Sequence, residues 1–346
     1  IMAYTTINKS GEYFNTKLYT GNGSARSITG VGHQPDFVWT KERGATSDHR
    51  MFDAVSGATK FIKSNNTDAL STNSNSLTSF DSDGFYLGTA AITNRSGGTF
   101  ASWNWKANGS GSANTGGTIN STVSVNTTAG FSIVKYTGTG STGATIGHGL
   151  GAKPNVIILK NISNTQQWTS YWSPLGATKF MRFNATDAVG TASNRWNNTE
   201  PTTSLFTVGN DGEVNQSGLN HIAYCFAEKT GYSKFGSYVG NGDSNGSFIY
   251  TGFRPAWVII KKTNDTHAWR IYDSVRDTHN VTEKILESNT SNAEATSGTY
   301  VLDLVSNGFK FRGNGDGVNG SGQSFIYMCF AEAPLVGSNN IPCTAR

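Results

Sequence analysis

Three stretches of this chain share one rhythm of apolar and polar positions. Each opens on a strand that runs into a glycine turn: Leu18-Tyr19-Thr20-Gly21-Asn22-Gly23, Lys135-Tyr136-Thr137-Gly138-Thr139-Gly140 and Ser237-Tyr238-Val239-Gly240-Asn241-Gly242. Asn-Gly and Thr-Gly after an apolar strand favour the positive φ of tight turns. A proline and an apolar run follow: Gln34-Pro35-Asp36-Phe37-Val38-Trp39, Lys153-Pro154-Asn155-Val156-Ile157-Ile158 and Arg254-Pro255-Ala256-Trp257-Val258-Ile259. Each run reaches a lysine, at Lys41, Lys160 and Lys261. Unbroken β-branched and aromatic runs predict strands covered on both faces. A proline at the strand's start gives up no ladder amide. Each stretch closes on an alternating segment, 101–106, 222–227 and 326–331. Its large side chains share one face: Trp103 and Trp105, Tyr224 and Phe226, Met328 and Phe330. That period of two predicts a half-buried strand.

Two landmarks fix the repeat. Gly57-Ala58-Thr59-Lys60-Phe61 recurs as Gly176-Ala177-Thr178-Lys179-Phe180, 119 residues on, and Pro35 recurs as Pro154 at the same offset. His49-Arg50-Met51-Phe52-Asp53 resembles Trp269-Arg270-Ile271-Tyr272-Asp273. The second stretch departs there, with Trp168-Thr169-Ser170-Tyr171-Trp172. A unit of this length is too long for a solenoid repeat. The expectation is all-β, with three tandem β-sandwich domains over 1–108, 109–229 and 230–346. Residues 107–117 have a flexible-linker composition, and 119–125 alternates enough to add an edge strand. Units two and three join directly through Glu228-Lys229-Thr230-Gly231, which predicts rigid stacking. The best helical candidate, 278–288, is short.

Composition narrows the class. With 41 glycines but 7 prolines among 346 residues, collagen-like and Pro-rich disordered chains are excluded. Aromatic residues at 12%, including 8 tryptophans, exclude disorder. The net charge of +4 is spread without a basic stripe, so no nucleic-acid partner is expected. The apolar runs 156–159 and 256–260 fall far short of the ~18–20 residues of a spanning helix, so no membrane insertion is expected. The first residues lack the basic start and apolar core of a signal peptide. Cys225, Cys329 and Cys343 form neither a disulfide framework nor a zinc spacing. Cys225 and Cys329 share a column of different units and are read as free packing thiols.

Candidate chemistry is sparse. His33, His49, His148, His221, His267 and His279 show no metal-site spacing. His49 aligns with Trp269 and is read as filling a packing slot. Gly147-His148-Gly149-Leu150-Gly151 lacks the serine of a nucleophile elbow. Asp81 with Asp83, and Asp211 with Glu213, sit in glycine turns, whereas glycosidase carboxylates flank a cleft. Asp81, Asp83, Asp243 and Asp316 offer oxygen ligands for an irregular calcium loop. The first of these loops has Ile92 where an EF-hand needs Glu. Neither catalytic residues nor cofactors are assigned. Arg50 with Asp53 recurs as Arg270 with Asp273, which points to the fold. Trp168, Trp172, Arg195 and Trp196 occur in unit two alone. As exposed aromatics beside polar groups they would suit sugar stacking or an interface hot spot; the competing reading is that they rebuild unit two's core.

Several segments resemble a repeat family of bacteriophage proteins: Tyr19-Thr20-Gly21-Asn22-Gly23, Trp105-Lys106-Ala107-Asn108-Gly109, 126–134, Gly147-His148-Gly149-Leu150-Gly151 and Cys329-Phe330-Ala331-Glu332-Ala333-Pro334. Such repeats are abundant in tailed phages of marine and cyanobacterial hosts, as tail-fibre-like or virion structural proteins. The resemblance spans 4–346 and rests on the order and number of short motifs. It implies a concanavalin- or SPRY-like jelly-roll sandwich per unit and a virion location after synthesis in host cytoplasm. It also implies other virion proteins as partners and a homo-oligomer, a trimer by analogy with fibres. Two roles compete: attachment to a host-surface glycan or protein, and purely structural capsid decoration or a head fibre. An enzyme acting on envelope polysaccharide would need an acid pair in a groove.

Overall fold

The computed structural model describes residues 5–334. Antiparallel strands dominate, and the α-helices among the described residues are four-residue turns such as Ala91–Asn94 and Asp316–Asn319. The all-β, sandwich-type expectation is met.

Unit one has an inner sheet in the spatial order Phe14–Thr20, Thr99–Trp105, Phe37–Glu42, Arg50–Asp53, Lys60–Ile62, Ser71–Thr72. Its outer sheet is Arg26–Thr29, Gly84–Leu87, Leu77–Asp81. Unit three repeats this order, from Ser233–Val239, Ser324–Pro334 and Phe253–Lys262 to Ala295–Thr296. Unit two adds Ser121–Asn126 and Ser112–Asn114 outside its first strand, Phe131–Thr137, and reduces its outer sheet to Ala144–Gly147 and Leu205–Val208.

Each unit encloses its own apolar core between inner and outer sheet. The opposite faces of the three inner sheets meet in a fourth core that all three share. There Phe37 lies 4.4 Å from Tyr224, Phe14 5.0 Å from Phe330, and Trp105 meets Trp257 edge-on at 5.7 Å. The sandwiches are therefore three sides of one closed prism with a pseudo-threefold axis inside a single chain. This corrects the half-buried expectation for 101–106, 222–227 and 326–331. Trp103, Trp105, Tyr224, Phe226, Met328 and Phe330 face the shared core, while Cys225 and Cys329 face their own units' cores as free thiols. The alternation separates two cores, not core from water.

The same hydrogen bonds close all three junctions. The side-chain N–H of Trp168 donates to the Lys63 carbonyl (3.0 Å), that of Trp269 to Arg182 (3.1 Å), and His49 Nε2 lies 3.0 Å from the Glu287 carbonyl. Trp39 donates its indole proton to His49 Nδ1 at 2.8 Å, so Nε2 carries the proton and donates. The amides of Leu70, Val189 and Glu294 donate to the carbonyls of Ile162, Thr263 and Arg43 in the next unit, at 3.0, 2.7 and 2.8 Å. The ring bonds run in one rotational sense and the amide bonds in the other, and each set is the same at all three junctions, so unit three closes on unit one as unit one does on two.

The repeated glycine turn has a local cause. A Cβ on Gly21, Gly138 or Gly240 would sit 2.3–2.4 Å from a carbonyl oxygen of the short helix's end. The turn amides of Asn22, Thr139 and Asn241 donate to the side-chain oxygens of Asn94, Asn215 and Asn319 at 3.0, 2.8 and 3.1 Å. Only glycine lets the turn dock this closely.

Two expectations change. Residues 107–117 are not a loose linker: the amides of Ala107 and Gly109 donate to the Asp36 carboxylate (2.7 and 3.1 Å), and Ser112–Asn114 pairs with Ser121–Asn126. The helical candidate at 278–288 instead holds the strand Lys284–Glu287, whose apolar Ile285 and Leu286 are claimed by two different cores. Cys343 and the tail beyond 334 lie outside the described residues.

Candidate functional site

The four unit-two residues expected at an exposed surface are all buried. Trp168 and Trp172 belong to the shared core, where Trp172 lies 5.5 Å from Trp269 and donates to Ser170 Oγ at 2.9 Å. Trp196 fills unit two's own core, edge-on to Tyr171 at 5.9 Å. Arg195 pairs with Asp211 and with Glu213 (3.1 Å) and lies over the Phe180 ring. Trp168 is matched by Trp269 in unit three, and the singularity of Trp172 has an internal cause. In unit one Trp103 donates to Asp273 of unit three (3.1 Å), and in unit two Tyr224 donates to Asp53 of unit one (3.0 Å). The ladder register places Trp172 in the Asp53 and Asp273 column, and Met328 in the Trp103 and Tyr224 column. At the junction of units two and three the acid and its donor are thus both replaced, by two apolar side chains.

The titratable groups singled out in the sequence are committed to the fold. Asp83 accepts the amides of Gly30 (2.9 Å) and Gly32 (2.6 Å), which hold its carboxyl below the usual range. Asp211 caps the short helix Gly212–Asn215, and Glu213 accepts from Thr169 at 2.5 Å. Burial pushes His148 and His221 down to about 4, and His49 well below its ordinary value. Lys41, Lys160 and Lys261 point their ammonium groups at the carbonyls of Glu42, Asn161 and Lys262 at 2.6, 2.6 and 2.5 Å, and burial pushes each down to about 8. Asp265, His267 and Asp316 bring three ligand atoms together. The Lys262 ammonium already lies 3.2 Å from Asp265 and 2.7 Å from Asp316, so the chain itself supplies the cation.

The surface points elsewhere. Among the described residues, the exposed large apolar side chains are Tyr86, Val239, Phe248, Tyr250 and Val281, and four of these five belong to unit three. Phe248 is 47% exposed and Tyr250 57%, on the solvent face of the outer sheet's edge strand Phe248–Tyr250, with Ile249 between them turned into the core. Val239, 59% exposed, accepts a bond from Ser247 beside them. Tyr250 pairs with Gly308 and Phe248 with Lys310, and the Phe248 ring edge lies 3.1 Å from where a Cβ on Gly308 would stand. Beyond lies the Arg312–Asp303 pair at 2.5 Å. The corresponding positions are Ser27 and Thr29 in unit one, and Thr145 and Gly147 in unit two. Two exposed rings on one strand face beside a charged rim can stack on an apolar ligand face while the rim binds its polar edge. The signal was present in the sequence: outward positions of one strand are Ser/Thr in unit one and aromatic in unit three.

No curated protein and no solved structure matches the chain. A family model does, over residues 9–334, and the chain belongs to that family, DUF7483, a domain of unknown function.

Proposed function

We propose that this protein is a non-enzymatic virion surface component, a tail-fibre or appendage module, that attaches to the host surface through the outer face of unit three. The observation that carries the reading is the Phe248–Tyr250 pair, exposed where both other units have small or polar residues. Exposed contiguous apolar surface on a rigid scaffold marks an interaction site. A glycan is the ligand that suits flat rings with a hydrogen-bonding rim. The closed prism fixes the platform without relying on flexible loops. The phage assignment rests on the sequence resemblance.

The test uses the full chain, fluorescently labelled, on host cells and on a glycan array. Phe248→Ser with Tyr250→Thr, the residues unit one uses, is expected to lower cell binding by about tenfold or more at unchanged melting temperature. Undiminished binding overturns the platform. Quantitative mass spectrometry of purified particles tests the virion role. Copy numbers comparable to the major capsid protein would replace attachment by capsid decoration, and absence from particles would overturn both.

A further inference from the structure

Two strands that, among the described residues, occur only in unit two build a second feature. Ser121–Asn126 and Ser112–Asn114 extend that unit's inner sheet past its first strand, whereas the matching strands Phe14–Thr20 and Ser233–Val239 end their sheets. Between this extension and the turn that follows Arg50–Asp53 of unit one opens a groove of about 290 Å³. Its walls carry Val55 from unit one, and Asn120, Thr122, Lys135, Thr137 and Asn220 from unit two.

The polar inventory is one-sided. Thr137 donates to Asn220 Oδ1 at 3.0 Å, which leaves the side-chain NH2 of Asn220, in the groove wall, as a donor. Asn120, Thr122 and Lys135 have no side-chain partner among the described residues. Lys135 acts electrostatically on one acid, Asp53, whose carboxyl it helps to hold down. That carboxyl is buried and already accepts from Tyr224 (3.0 Å) and the Ser56 amide (2.6 Å). The groove therefore presents one ammonium, two amides and a hydroxyl, with no carboxylate in its wall. Its volume, at the small end of ligand pockets of ~300–1,000 Å³, suits one sugar ring.

We infer that this groove binds an acidic saccharide, one ring whose carboxylate pairs with Lys135 Nζ and whose hydroxyls are met by Asn120, Thr122 and Asn220. The site lies in different units from the aromatic platform and does not depend on it. A charged pair in an open groove is screened by salt, whereas hydrogen bonds from neutral donors are much less so.

The experiment titrates the full chain with digalacturonate, and with galactobiose as the neutral control, by calorimetry at low and high salt. Digalacturonate is expected to bind, about tenfold tighter than galactobiose, and to weaken with salt. Lys135→Met should remove both the preference and the salt dependence, while Phe248→Ser with Tyr250→Thr should leave them intact. Asn220→Ala gives a second reading, a weakening toward both sugars, should the Lys135 variant melt early. Failure of digalacturonate to bind, equal affinity for the two sugars, or an unchanged Lys135 variant overturns the site. Loss of uronate binding in the Phe248 and Tyr250 variant instead would move it to the platform.

Discussion

The inner and outer faces of the prism follow different rules. On the inner face, the hydrogen-bonded columns either keep their bond or change in pairs, whereas Trp105 and Trp257, whose ring N–H groups meet no acceptor, change singly. The ring N–H of His49, Trp168 or Trp269 always meets a neighbouring carbonyl. Where Trp172 takes the place of an aspartate, Met328 takes the place of the donor. On the outer face, columns change singly: Ser27, Thr145 and Phe248 share one, and Thr29, Gly147 and Tyr250 another. A buried polar group that loses its partner is expensive, so a change at one end of an inner hydrogen bond drags the other along. A residue in water has no partner to drag. Rarity among repeats therefore signals function only where the side chain reaches solvent.

The sharpest way to break this rule is Trp172→Asp. It restores the acid of the other junctions, but opposite Met328, which has no proton to donate. The buried carboxylate and the lost ring together are expected to destabilise by at least about 3–5 kcal/mol in denaturant unfolding. Adding Met328→Tyr supplies the donor used by unit two and should recover part of the loss, a positive coupling in a double-mutant cycle. A double variant no more stable than Trp172→Asp alone would mean that the two columns are not coupled.

A milder change tests a junction that keeps the pair. Tyr224→Phe removes one hydroxyl and leaves Asp53 with the Ser56 amide. Burial already raises the Asp53 pKa, and the Tyr224 hydrogen bond offsets part of that rise. The expected loss is about 1–3 kcal/mol, smaller than for Trp172→Asp because no cavity opens. A variant as stable as the parent would show that the bond adds nothing net.

How far the sequence reaches follows from the same rule. The repeated strands and their succession along the chain were legible, because glycine turns, prolines and apolar runs are local signals. The closed prism was not. Strands such as Phe37–Glu42, buried at every position, show that two faces are covered without saying by what. Trp172 was picked out correctly as unique, whereas Trp168 is matched by Trp269 in unit three; no local signal shows that Trp172 compensates for Met328 more than a hundred residues away. Phe248 and Tyr250 were legible in principle, since their parity opposite Ile249 marks them as outward. The groove at Lys135 was not, because it needs Val55 from one unit beside Thr122 and Asn220 from another.

The repeated lysines carry the inner rule into pH dependence. Lys41, Lys160 and Lys261 are held at about 8 by burial, below the ordinary 10.5. Between those values the unfolded chain holds more protons, so stability rises with pH from about 8 upward. Burial holds Tyr136, Tyr224, Tyr232 and Tyr238 well above their ordinary 10. Above about pH 10 the unfolded chain ionises its tyrosines first and stability falls. Unfolding free energy should therefore climb from about pH 8 and turn over above about 10. Lys160→Met should shrink the climb by roughly the share of one lysine in three. On the acid side, His148 and His221 are held at about 4, so stability should drop as pH falls from 6.5 toward that value. A steady decline from pH 8 would show that the lysines titrate normally.

The smallest stability effect belongs to the outer face. Phe248→Ser with Tyr250→Thr should change unfolding free energy by no more than about 0.5 kcal/mol, as expected of exposed sites away from the core. Both replacements already stand at matching positions in unit one, on a strand of the same register. Ile249, the residue between them that feeds unit three's core, is untouched. The same two changes should lower attachment by about tenfold or more, so stability and binding separate at this strand, whereas Trp172→Asp moves stability first. A stability loss of several kcal/mol here would mean that the rings are covered in the folded protein, for example by self-association. Chromatography coupled to light scattering would then show an oligomer that dissociates when the rings are removed.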